Sequence, residues 1–128
     1  MVYAALAQSA KPDGMSASAQ VDRTLAALAD PTRRAVIEHL RTRPHRAGEL
    51  ADALGMSAPA LSRHLRVLRK SGLIADDEVE HDARVRLYRL EPKGFASLRE
   101  WVTEVEAFWG DQLAGFKAHA EQSSRSDG

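Results

Sequence analysis

Apolar side chains return every three or four positions along most of this chain, and one short stretch alternates instead. Val21, Leu25 and Leu28 mark one face of a first helix, from about Gln20 to Ala29. Asp30 and Pro31 restart the chain, one as a cap and the other at a first helical position where no N–H is needed. A second helix then runs to about Thr42 and buries Val36, Ile37 and Leu40, until Pro44 stops it. Ala47, Leu50, Ala51 and Leu54 predict a third helix over Arg46 to Leu54, with Gly55 as its left-handed cap. Ser57 caps a fourth helix that reaches Ser71, where Gly72 ends it. Leu73-Ile74-Ala75 and the alternating run Arg84 to Leu90 read as a two-stranded hairpin with a charged tip over Asp76 to Ala83. From Pro92 to about Ala120, Phe95, Leu98, Val102, Val105, Trp109, Leu113 and Phe116 recur at helical steps, widened by Trp101 and Phe108.

The pattern predicts a mainly α fold of five helices with a small β-hairpin. Residues 20–120 form the folded domain. Residues 1–19, rich in Ala, Ser and Gln, read as a flexible arm, and 121–128 as a flexible tail. One core fits a chain of 128 residues. There is no cysteine, which excludes disulfides and thiolate metal sites. No apolar run approaches the roughly 20 residues of a membrane helix, and no signal-peptide pattern opens the chain. A cytoplasmic location without membrane contact is expected.

The short turn Gly55-Met56-Ser57 between the third and fourth helices meets the steric needs of a helix-turn-helix. Ala51 is small where the two helices approach, and Leu50, Leu54, Met56 and Leu61 clamp them. Net charge is zero, but the charges are sorted: Arg63, Arg66, Arg69 and Lys70 lie between Ser57 and Ser71 with no acid. On the fourth helix, Leu61, Leu65 and Leu68 share one side. Pro59, Ser62, Arg63, Arg66 and Lys70 lie opposite. Small residues at its start, Ser57, Ala58, Pro59 and Ala60, let the backbone approach base edges. Ser62 and Arg63 suit base readout, Arg63 as a bidentate donor to guanine, while Arg66 and Lys70 suit phosphates. His64 sits at the border of the core face, either as a phosphate donor or as a packed structural histidine. Arg33 and Arg34 stand in a first helical turn, where they oppose the helix dipole. They are either a solvated face or engaged elsewhere. Arg84 and Arg86 can lie along the DNA backbone, though Asp76, Asp77, Glu78, Glu80 and Asp82 would repel phosphate unless the tip points away.

The run from Leu50-Ala51 through Leu54-Gly55-Met56-Ser57 and Ser62-Arg63-His64-Leu65 to Ser71-Gly72-Leu73-Ile74 resembles the ArsR/SmtB family of winged helix-turn-helix repressors. Leu28-Ala29-Asp30-Pro31 upstream and Arg86-Leu87-Tyr88-Arg89-Leu90 downstream resemble it too. The resemblance covers about residues 20 to 118. It implies a homodimer built from the first and last helices, with Val21, Leu25, Phe95, Leu98, Trp101, Val102, Val105, Phe108, Trp109, Leu113 and Phe116 at the interface. It also implies repression by operator occupancy, often at the regulator's own promoter.

Many family members sense metals, and here the sequence departs. The last helix holds Glu104, Glu106, Asp111 and His119 without ligand spacing, and His39, His45 and His81 are scattered, so no metal and no cofactor is expected. The Trp-rich last helix looks like a metal-free branch. Trp101, Phe108 and Trp109 either continue the dimer stripe or line a pocket for a small-molecule effector. No catalytic group is expected: Ser62 and His64, two apart, do not share a helix face. A winged-helix interaction module without DNA binding is the remaining alternative, supported by the acidic wing.

Overall fold

The computed structural model describes residues 16–79 and 82–126. The elements follow in the order α1 (Ala17–Leu28), α2 (Pro31–Thr42), β1 (His45–Arg46), α3 (Ala47–Leu54), α4 (Ala58–Lys70), β2 (Ile74–Val79) and β3 (Asp82–Leu90). A 3₁₀ turn, Pro92–Phe95, leads into α5 (Ala96–Ser126). The chain divides into two compact units, one ending at Leu98 and one beginning at Arg99.

The ends of the helices obey local chemistry. Ser16 accepts a hydrogen bond from the Ala19 N–H, so α1 begins at Ala17 rather than Gln20. Ala17 to Ala19 therefore belong to a helix and not to a flexible arm; residues 1–15 lie outside the described residues. The Asp30 carboxylate accepts from the N–H groups of Thr32 (2.8 Å) and Arg33 (3.1 Å), with Pro31 at the first helical position of α2. Those N–H donors, Arg33 first, hold the Asp30 carboxyl below its ordinary range. At the start of α3 the Arg46 N–H donates to Glu49, a reach-back of the capping-box kind, and Arg43 donates to the other oxygen of Glu49.

Between α3 and α4, Gly55 has φ +61°, a conformation that Cβ-bearing residues resist. With it the Met56 N–H reaches the Ala51 carbonyl and the Gly55 N–H reaches that of Asp52. This is the paired closure of a Schellman motif. The same closure recurs after α4, where Leu73 donates to Leu68 and Gly72 to Arg69.

The core lies where α2, α3 and α4 meet the base of the sheet. Ala27, Val36, Leu40, Leu50, Ala51, Leu61, Leu65, Leu68, Leu73 and Ile74 are its buried members, and residues such as Leu28, Ile37, Leu54, Met56, Tyr88, Leu90 and Phe95 pack around them. Gly94 seals the base. A Cβ there would run into the carbonyl of Gly72, so only glycine allows this approach of the 3₁₀ turn to the end of α4.

The predicted two-stranded hairpin is a three-stranded antiparallel sheet in the order β1-β3-β2. His45 and Arg46 pair with Tyr88 and Leu87. The expected charged loop is also shorter. β2 runs on through Asp76, Asp77 and Glu78, paired with Tyr88, Leu87 and Arg86, and β3 already starts at Asp82. Glu80 and His81 lie outside the described residues.

In the second unit α5 continues to Ser126, six residues past the expected end, so Glu121 to Ser126 are helical and not a flexible tail. Its apolar stripe is exposed: Val102, Phe108, Trp109, Leu113 and Phe116 all show, from 38% for Val102 to 74% for Phe116. Phe108 and Trp109 meet edge-on at 6.0 Å. Among the described residues no helix is long and apolar enough to cross a membrane.

Candidate nucleic-acid interface

Helix α4 is split lengthwise. Leu61, Leu65 and Leu68 are 1%, 3% and 0% exposed, which fixes its rotation about its own axis. Burying three leucines contributes roughly 1.5–3 kcal/mol each, so the outer side cannot turn inward at small cost. That outer side carries Ser62, Arg63, Arg66 and Lys70, all exposed, with no acid on the helix. No described ion pair occupies Arg63, Arg66 or Lys70. Such a face attracts polyanions, and its guanidinium forks match the acceptors of guanine and of phosphate.

The start of α4 is narrow. Ser57 caps it by accepting from the Ala60 N–H at 3.3 Å, Pro59 stands in the first turn, and Ser57, Ala58 and Pro59 are exposed, with Ala60 half-buried. The free N–H groups and dipole of a helix start add positive potential on this same side.

His64 is half-buried, and its Nδ1 lies 3.4 Å from Nη1 of Arg33 on α2. A guanidinium has only donors, so in a hydrogen bond between the two, Nδ1 is the acceptor. His64 is thus a packed residue with a structural partner. Arg33 also donates to the carbonyls of Ala27 (2.6 Å) and Ala26 (3.1 Å), and Arg34 to those of Leu28 (2.7 Å) and Ala29 (3.1 Å). The two arginines therefore satisfy the open carbonyls at the end of α1. Their unfavourable place in the first turn of α2 is explained by that service. Sequence reasoning flagged the oddity but not the partner.

The wing differs. Asp76 of β2 lies between Arg69 of α4 (3.6 Å) and Arg86 of β3 (3.5 Å). Asp77 pairs with Arg89 at 2.9 Å, and Arg89 also reaches Glu91 at 3.3 Å. Two of the acids expected to repel phosphate are thus neutralised in place. Arg84 and Arg86 are exposed. They line a hollow of about 360 Å³ with Arg46, Gly48 and Glu49 at the start of α3. Arg46 and Asp76 were absent from the expected site because only the folded sheet brings them beside it, whereas Arg69 stands on α4 itself and was visible in the charge pattern.

Of the residues expected at a self-contact, Val21 is 7% exposed and belongs to the chain's own interior. Phe95 packs against the core, and Leu98 is half-buried. Leu25 on α1 is 44% exposed. In the second unit Trp101 and Val105 are half-buried, unlike the more open Phe108, Trp109, Leu113 and Phe116.

Comparison with known proteins gives this geometry its context. Residues 30–76 match the family model described as bacterial regulatory protein, arsR family. The chain is 42% identical over 102 residues to the HTH-type transcriptional regulator Rv2034 of Mycobacterium tuberculosis (strain ATCC 25618 / H37Rv), covering 80% of this chain and 90% of that protein. The crystal structure of the ArsR family transcriptional regulator RHA00566 superposes with a TM-score of 0.65 at 33% identity, covering 73% of this chain and 93% of that one. A solution structure of the homodimeric winged helix-turn-helix DNA-binding domain Mb0332 from Mycobacterium bovis matches with a TM-score of 0.54 at 26% identity, over 69% of this chain and 79% of that one. Fold, helix-turn-helix and relatives agree: this chain belongs to the ArsR family of bacterial transcriptional regulators, which bind DNA through a winged helix-turn-helix.

Proposed function

We propose that this regulator acts in the cytoplasm as a homodimeric repressor that occupies a pseudo-palindromic operator, including one at its own promoter. The observation that carries this reading is the division of α4 into a buried leucine side and an exposed cationic side free of acids. In this reading α4 enters the major groove. Ser57, Ala58, Pro59 and Ala60 give its start a close approach, Ser62 and Arg63 read base edges, and Arg66 and Lys70 hold phosphates. His64 turns its Nε2–H to the DNA backbone while Nδ1 keeps Arg33. Arg84 contributes from the wing, and Arg86, which faces Asp76, contributes less.

Two copies are needed to read two half-sites about 34 Å apart. For that contact the first unit offers Leu25, and the second offers Val102, Phe108, Trp109, Leu113 and Phe116, each exposed in the single chain. The homodimeric state of the Mb0332 domain supports the same arrangement. A second reading, a small-molecule effector held at the dimer contact, is favoured by the edge-on pair Phe108 and Trp109.

The test is a mobility-shift and footprinting series on the DNA upstream of the gene, with a reporter for the sign of regulation. A protected stretch with two related halves one turn apart, and reporter output that falls with protein, is the expected result. Equal affinity for every duplex sequence would defeat the reading.

A further inference from the structure

Asp76 is the one acid of the wing that touches α4 among the described ion pairs. Its carboxylate is 14% exposed, with Arg69 contacting one oxygen and Arg86 the other. The three residues come from three elements: β2, α4 and β3. Directly across the ladder from Asp76 stands Tyr88, and directly across from Arg86 stands Glu78. Tyr88, Ser62, Leu65, Arg66 and Arg69 line a cleft of about 180 Å³ between α4 and the sheet. Ser62, Arg66 and Arg69 are spaced i, i+4, i+7, so Arg69 continues the face of α4 proposed to meet DNA.

We infer that Asp76 is a specificity-setting residue: it withholds Arg69 and Arg86 from phosphates and ties the wing to the recognition helix. The inference rests on the proposed docking of α4 on DNA. A carboxylate and a phosphate compete for the same guanidinium fork. With Asp76 ionised, the cluster of two arginines and one carboxylate carries a single net positive charge, and each guanidinium has one nitrogen facing a carboxylate oxygen. Phosphate contacts bind every sequence alike, so cations withheld from them lower non-specific affinity more than specific affinity. The same carboxylate bridges helix and sheet, so the wing keeps one orientation while α4 tests bases. Asp76→Asn keeps the shape, raises the cluster charge by one and releases both forks.

The experiment uses the full chain and two fluorescent duplexes of about 30 base pairs: one of random sequence, and one selected from a random pool by the unaltered protein. Affinity is measured by anisotropy across salt. Asp76→Asn is expected to bind the random duplex more tightly and with a steeper salt dependence. Two extra phosphate contacts add about ten-fold to the loss between about 50 and 200 mM salt. Its preference for the selected duplex is expected to fall. Arg69→Gln supplies an independent arm: preference falls and the salt slope stays, because Arg69 is not spent on phosphate. An Asp76→Asn protein with unaltered slope and preference overturns the inference. So does an Arg69→Gln protein whose slope drops by a full contact. The Arg66→Ala/Lys70→Ala double variant separates the two levels. If it lowers the slope while Asp76→Asn leaves it unmoved, the docking of α4 stands and the role of Asp76 falls. If it leaves the slope unmoved, or if the unaltered protein binds neither duplex, the docking reading falls and takes this inference with it.

Discussion

The recognition helix and the wing carry the same kind of side chain to opposite ends. On α4, Arg63, Arg66 and Lys70 have no described ion pair, and three leucines on the other side set the helix's rotation. On the wing, Arg86 and Arg89 each face a carboxylate, and Asp76, Asp77 and Glu78 crowd the same strand. Cation count alone would make the two regions equivalent partners for DNA. On the proposed docking, pairing leaves α4 as the reader and the wing as a braced support, and the lesson is that availability of a charge matters more than its presence.

The comparison breaks first at its foundation, the inner side of α4. Leu68→Ala is expected to cost about 2–5 kcal/mol of stability, read as a shift in the urea midpoint with the slope unchanged. A cost near zero would mean that the leucines do not set the helix's orientation. Next comes the base of the wing. Gly94→Ala should destabilise by about 1–3 kcal/mol, since the Gly72 backbone must move to admit a methyl group; thermal melting checks it, and an unchanged midpoint would remove that packing from the account.

The two arginine classes can then be set against each other. Arg63→Ala should cost about 1–3 kcal/mol on the selected duplex and relax preference at one base pair. Arg86→Ala should cost less than about 1 kcal/mol, since it gives up a partly exposed pair. Equal losses in the two variants would erase the distinction drawn here.

The smallest effect concerns acid. Asp30 is held below its ordinary carboxyl range chiefly by the Arg33 N–H, so its folded form binds a proton less readily than its unfolded form. Its stabilisation is full above the unfolded value, near pH 4, and disappears as the pH falls through the lower folded value. Asp30→Asn keeps the cap and removes the titration, so its melting temperature should decline less between neutral pH and pH 3 than that of the unaltered chain. Parallel declines would contradict this.

The leucine spacing of α4, its serine cap and the Gly55 turn were readable in the residues because each is a local demand on a short segment. The strand β1 was not, since His45 and Arg46 are two residues with no alternation and pair only once β3 is beside them. β2 was read as too short because Asp76, Asp77 and Glu78 have poor strand preference, which their cross-strand partners override. The carbonyl-binding role of Arg33 and Arg34 depends on the corner between α1 and α2, which no periodicity encodes. The last turns of α5 are polar, and apolar spacing stops before them, so the expected end fell at Ala120 rather than Ser126. Val21 was expected at the dimer interface from the family resemblance, and the apolar face it shares with Leu25 does not say which neighbour covers it.

In the proposed docking the cationic side of α4 is what holds DNA. Measuring the salt dependence of binding for the unaltered protein and for Arg66→Ala/Lys70→Ala on one selected duplex tests it most directly. Loss of two phosphate contacts predicts a slope shallower by about 1.8, with fold and melting temperature retained. An unchanged slope in a folded double variant would place the DNA on another surface of the protein.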